Sequence, residues 1–194
     1  MVAILMAQWG CANTEPTKFY VLNSLKSTAS EVKTQKNTAP VVLGIGPLKL
    51  PEYLDQPQIL TSSGGNELEY SEFHHWAEPL KDNFSRVLGE NLSVLIPTNQ
   101  IHLFPWRRSA GVNYHLEFNV IDFQGNLGGD SILNVRWALY GKEGGKALVL
   151  KKSTYSQSTS GEGFEAMVLG MNLTLEQFSR DIVKSIRPLL PPAK

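Results

Sequence analysis

The residue types that most often carry chemistry are present in this chain, but their spacing rarely suits it. Gly44-x-Gly46 opens like a dinucleotide-binding turn, in which glycines let the backbone approach a pyrophosphate. Pro47 follows, and Lys49 stands where the third glycine belongs, so the donor-lined turn cannot form. No Gly-x-x-x-x-Gly-Lys-Ser/Thr sequence occurs, and the chain has no phosphate loop of its own. His74 and His75 are adjacent; on a strand they point to opposite faces and cannot clasp one ion together. Packing or hydrogen bonding is the expectation for this pair. His102 and His115 stand alone, no serine lies in Gly-x-Ser-x-Gly, and Glu52, Asp55, Glu67, Glu69 and Glu72 fall in arm or hairpin contexts. A catalytic triad is a matter of geometry rather than spacing. On these patterns the chain is expected to carry no catalytic residue, cofactor or metal, and not to be an enzyme.

Two further constellations bear on binding rather than reaction. Phe104-Pro-Trp-Arg-Arg108 sets two aromatic rings beside two guanidinium groups at a strand end, and Trp and Arg are favoured anchors of protein interfaces. Trp106, Arg107 and Arg108 are therefore candidate partner contacts, with an ordinary surface or core role standing equally beside that reading. Met167 and Met171 could line an adaptable lipid groove, since methionine repacks easily. At helical spacing among Val, Leu and Phe, a core role is the expectation.

The elements that position these residues follow from periodicity and from proline. Val41 to Ile45 is an apolar run short enough for a strand buried on both faces, closed by Gly46-Pro47. Pro51 can open a helical turn at Glu52-Tyr-Leu54, and Pro57 biases Gln56 back toward β for a strand over 57–61. A stiff strand, arm, strand unit results. Phe19 to Leu22 reads as a first strand, and Ser24 to Ala39 as a loop with too few apolar residues to cover a core. Gln58 to Thr61 and Glu67 to Phe73 flank Ser62-Ser-Gly-Gly-Asn66, a hairpin signal. Glu78-Pro79 starts a helix on which Trp76, Leu80, Phe84, Val87, Leu88 and Leu92 form one apolar stripe, and Ile96-Pro97 stops it. Ile101 to Phe104 returns as a strand.

Strict alternation marks Val112, Tyr114, Leu116, Phe118 and Val120 as one face of a half-buried strand, and Leu133, Val135, Trp137 and Leu139 as the same face of the next. Glycine-rich turns over 124–129 and 141–145 join these to a third strand over 147–155, an antiparallel meander. A last helix runs from Phe164 to Ile186, with a capping-box pattern at Thr174-Leu-Glu-Gln177 that predicts a break near Asn172. The fold class is α/β: a single two-layer domain, a mixed β-sheet with an antiparallel meander packed against two main helices.

A chain of 194 residues is long enough to bury a core without covalent staples. Cys11 is its one cysteine, so no disulfide can form within it. Acidic and basic residues balance at 18 each, which gives no global field for nucleic acid. No apolar run approaches the ~20 residues that span a bilayer.

Ile45-Gly-Pro-Leu-x-Leu-Pro-x-Tyr-Leu-x-x-Pro-Gln-Ile59, followed by Phe73-His-x-Trp-Ala-Glu-Pro-Leu80, resembles the ABC-type transport auxiliary lipoproteins of the PqiC (YmbA) kind, from about Phe19 to the C-terminus. Val2-Ala-Ile-Leu-Met-Ala7 leading to Gly10-Cys11 resembles the end of a bacterial lipoprotein signal. Gln8 and Trp9 depart from the usual lipobox, the apolar run is short, and no Lys or Arg precedes it. A free cysteine on a disordered tail is the competing reading. The resemblance implies residues 1–10 as a signal remnant, 11–18 as a lipidated tether and 19–190 as the auxiliary lipoprotein domain. Cys11 would carry the acyl chains, palmitate among them, and Ala12 is what this class shows when sorted to the outer membrane.

The family further implies a non-catalytic accessory subunit on the periplasmic face of the outer membrane. Its partner would be a periplasm-spanning mammalian-cell-entry (MCE) domain protein of an inner-membrane transport complex. Homo-oligomerisation into a ring and support of membrane integrity are also implied, with no nucleic-acid role. A periplasmic lipid-binding carrier, helix and sheet enclosing an acyl chain, is the alternative.

Overall fold

The computed structural model describes residues 15–25, 41–62, 66–96, 98 and 100–190. The elements are β1 (Lys18–Tyr20), β2 (Leu43–Lys49), β3 (Gln58–Ser62), β4 (Leu68–Trp76), α1 (Leu80–Leu95), β5 (Ile101–Leu103), β6 (Tyr114–Gly125), β7 (Asp130–Gly141), β8 (Val149–Ser158) and α2 (Phe164–Ile186). Cys11, Pro97, most of the 24–39 loop and the tip of the 62–66 turn lie outside the described residues.

All eight strands join one mixed sheet centred on β6. Antiparallel β7 occupies one edge of β6 along its length, from Tyr114↔Gly141 to Gly125↔Ser131. The opposite edge is shared: β2 pairs parallel with Tyr114 to Asn119, and β3 meets Gly125 through Thr61. The sheet therefore forks, one prong continuing β2–β5 and the other β3–β4–β1, while β7–β8 completes the meander on the far side. The proline-bearing arm over 50–57 bridges the prongs. Its single turn closes by Leu54 N–H donating to Pro51 O at 2.9 Å, and Tyr70 OH pins Tyr53 O at 3.1 Å.

Both helices pack on one face. Leu80, Phe84, Val87, Leu88 and Leu92 of α1, with Met167, Met171, Leu175, Phe178 and Ile182 of α2, are buried against Ile45, Leu116, Phe118, Leu133, Val135 and Trp137. Each such aliphatic or aromatic side chain contributes roughly 1.5–3 kcal/mol by leaving water. Phe178 sits at the centre, its ring within 6.5 Å of Phe84, Phe118, Trp137 and Tyr155. Gly170 lets α2 approach β7, because a β-carbon there would lie 2.5 Å from Ser131 Oγ.

Several expectations need correction. Strand β2 does not end at Gly46-Pro47; it runs through this pair with a register shift between Ile45 and Leu48. Trp76 closes β4 rather than opening α1. Strand β6 begins at Tyr114, and a shift between Val120 and Asp122 re-phases it so that Phe123 also faces the core. Alternation read residue by residue cannot anticipate such a bulge. Helix α2 is unbroken at Asn172: Thr174 is buried, and its hydroxyl donates back to Met171 O at 2.8 Å instead of capping a new helix.

The chain leaving β1 is held by three asparagines, which sequence reading passed over. Leu22 N–H donates to Asn83 Oδ1 at 2.6 Å, Leu25 N–H to Asn91 Oδ1 at 2.7 Å, and Asn23 N–H to Asn172 Oδ1 at 3.0 Å. Asn83 and Asn91 are buried on α1. Their carbonyls satisfy backbone donors that an apolar helix face would leave unpaired.

Candidate partner-binding surface

The sheet face opposite the helices carries the residues singled out at the strand end. Gly44 points outward between the buried Leu43 and Ile45. The Trp106 indole lies directly on it: a β-carbon on Gly44 would come within 2.8 Å of Cη2. Gly46, at φ +112°, would likewise push a β-carbon to 2.8 Å from Phe104 Cβ. Phe104 N–H donates to Ile45 O at 2.9 Å, so the segment after β5 continues to hold β2 as it folds over that strand. Gly44-x-Gly46 and Phe104-Pro-Trp106, read separately in the sequence, are thus two halves of one contact. The glycines make room for rings, not for a phosphate.

From there an aromatic row crosses the sheet. Phe104 meets Trp106 edge to face at 5.5 Å, Trp106 lies 6.0 Å from His115, and His115 stacks on Tyr140 at 5.1 Å and 17°. His115 Nε2 also lies 3.4 Å from Glu117 Oε1. Phe104 remains 55% exposed at the end of this row. Arg107 and Arg108 are exposed beside it, and neither guanidinium has an ion-pair partner among the described residues. The structure therefore gives Trp106 a packing role and leaves Phe104, Arg107 and Arg108 free to touch another molecule. Phe104 is the exposed apolar ring of this segment, which sequence reading passed over in favour of the tryptophan.

The histidine pair divides as expected. His74 stacks on Phe164 at 3.7 Å and shares a 2.8 Å hydrogen bond with Tyr20 OH, while His75 meets Phe19 edge to face. Burial first, then the Lys18 ammonium, holds the His74 imidazole below the usual histidine range. Among the described residues, no group of three His, Cys, Asp or Glu side chains converges as a metal site.

Polar residues gather further along the outer face. Asp122 lies opposite Asn134 on β7, and Gln124 Nε2 donates to Asp122 Oδ2 at 3.2 Å. Burial pushes the Asp122 carboxyl above its ordinary range, against the lowering effect of the Gln124 and Phe123 hydrogen bonds. Only the bulge at Ile121 brings Asp122 to this face, which is why the sequence did not reveal it. A separate group ties β8 to α2: Tyr155 OH donates to Asp181 Oδ2 at 2.8 Å, and Lys151 Nζ to Ser185 Oγ at 2.6 Å. Burial raises the Tyr155 pKa far above its usual value.

A two-layer α/β domain with a filled core and a stiff aromatic and cationic outer ledge is suited to holding another molecule. Sequence comparison makes the class specific. The family of ABC-type transport auxiliary lipoprotein components matches residues 20–183, and the chain belongs to this family. Curated proteins give no match. Among solved structures, one described as an uncharacterized protein is 18% identical, covers 89% of this chain and 99% of its own, and superposes with a TM-score of 0.71. A Xanthomonas campestris protein of family DUF330 is 13% identical, covers 86% and 93%, and superposes at 0.69. Both share the fold. No helix among the described residues is long and apolar enough to cross a membrane.

Proposed function

We propose that this chain is a non-catalytic accessory lipoprotein of an intermembrane lipid transport system, held by acylated Cys11 at the periplasmic face of the outer membrane. In this reading its domain docks a periplasm-spanning MCE-domain protein of an inner-membrane complex and so supports the integrity of the envelope. Membership of the transport auxiliary lipoprotein family over residues 20–183 carries the reading. The ledge of Phe104, Arg107 and Arg108 supports it, because exposed aromatic and guanidinium groups on a rigid base suit a protein partner. A filled core weighs against the carrier alternative: Met167 and Met171, the candidate groove residues, are 2% and 1% exposed among the packed rings.

Association of several copies is part of the proposal, and the charge distribution supports a head-to-tail arrangement. Residues 50–76 carry Glu52, Asp55, Glu67, Glu69 and Glu72 with no Lys or Arg, on the arm and the β3–β4 wing. Arg136, Lys142, Lys146, Lys151 and Lys152 outnumber Asp130 and Glu143 on the β7–β8 wing across β6. One wing of a copy complements the other wing of the next, a heterologous contact that can close into a ring.

The deciding experiment is crosslinking and pull-down from native membranes, with sizing of the recovered complex and mass analysis of the mature N-terminus. An acylated Cys11 and an MCE-domain protein captured through the 104–108 ledge are expected. An unacylated chain that captures no envelope protein would end the proposal.

A further inference from the structure

A groove of about 870 Å3 lies far from the aromatic ledge, between edge strand β1 and the first turns of α2. Its walls are apolar and open: Phe19 is 66% exposed, Leu169 52% and Val21 37%, with Tyr20 and Phe164 at the base. Lys18 and Glu165 are its charged lining residues, and the Lys18 ammonium lies 3.6 Å from Glu15 Oε1. At the rim, Asn23 N–H is taken by Asn172 Oδ1, and Tyr20 OH by His74. The exposed part of the groove is largely apolar and suits an apolar occupant.

We infer that this groove is a bilayer contact: Phe19, Val21 and Leu169 enter the phospholipid leaflet that holds the anchor and so fix the orientation of the domain. The inference rests on the proposed acylation of Cys11. Six residues lie between Cys11 and Lys18, where β1 begins, seven residue steps in all. Fully extended, they reach no more than about 25 Å. The groove opens at the end of that tether, so anchoring confines it to the membrane surface at high effective concentration. With one cation and one anion in the lining, a zwitterionic surface suffices and added salt has little effect.

The test uses the acylated full chain in phosphatidylcholine vesicles. Acylation blocks the thiol of Cys11, so Leu169→Cys or Phe19→Cys provides the one free thiol for an environment-sensitive fluorophore; Lys152→Cys on exposed β8 is the control. Mass analysis of each preparation reports acylation independently, which separates failure of the anchor from failure of the groove. The expected result is a blue shift at positions 169 and 19 with strong quenching by lipid-borne nitroxide, and aqueous behaviour at 152. Adding Phe19→Glu to the labelled Leu169→Cys chain should abolish the blue shift at 169 while the protein stays vesicle-bound. Aqueous emission at position 169 in an acylated, vesicle-bound chain would overturn the inference. So would a blue shift that lipid-borne quencher cannot reach, which would instead assign the groove to a second copy or to the protein's own acyl chain.

Discussion

Trp106 rests on Gly44, at a separation that leaves no room for even one added carbon: a β-carbon on Gly44 would meet the indole at 2.8 to 3.0 Å. This contact fastens the outer ledge to the central parallel strand, and it couples the stability of β2 to the presentation of Phe104, Arg107 and Arg108.

Gly44→Ala should therefore displace the indole rather than the strand, whose other face is locked in the core. A loss of about 1–3 kcal/mol is expected, the usual cost of overpacking a tight contact. Denaturant midpoints measure the loss, and a red shift in tryptophan emission would report the displaced ring. An unchanged midpoint would mean the ledge is not seated on β2.

Arg107→Glu together with Arg108→Glu should leave stability within about 0.5 kcal/mol, as is usual for exposed surface positions. Capture of the membrane partner should fall sharply. Retained capture at native levels would exclude this ledge as the docking surface.

Asn83→Leu should cost about 1–3 kcal/mol, because the new side chain leaves Leu22 N–H buried without an acceptor. Hydrogen exchange at Leu22 should accelerate more than exchange at the centre of β6. Equal acceleration at both sites would count against a local clamp.

Asp122 gives the molecule a predictable pH response. Its folded pKa is raised, so the native state holds the proton more tightly than the unfolded chain. Between the unfolded value and the higher folded one, its contribution makes stability fall as pH rises, and the penalty is complete above the folded pKa. Asp122→Asn should stabilise the protein at neutral pH, with the advantage shrinking as pH drops through that window. Unfolding curves at several pH values would reveal it, and a pH-independent difference between the two proteins would refute the assignment.

Local signals settled much of the architecture. The stripe from Leu80 to Leu92, the alternation of Leu133 to Leu139 and Pro51 and Pro57 of the arm each depend on neighbours a few residues away, and those elements formed close to where they pointed. The family was legible for the same reason, since its ordered Pro and Trp blocks lie within short stretches of chain. What sequence could not supply was the meeting of distant residues. The seat of Trp106 on Gly44, the hold of Asn83 on Leu22 and the re-phasing of β6 at Ile121 depend on which strand lies beside which. Periodicity assigns a face to a residue, but only tertiary packing decides what covers that face. For that reason the glycines that looked like the start of a nucleotide turn became the floor of an aromatic ledge.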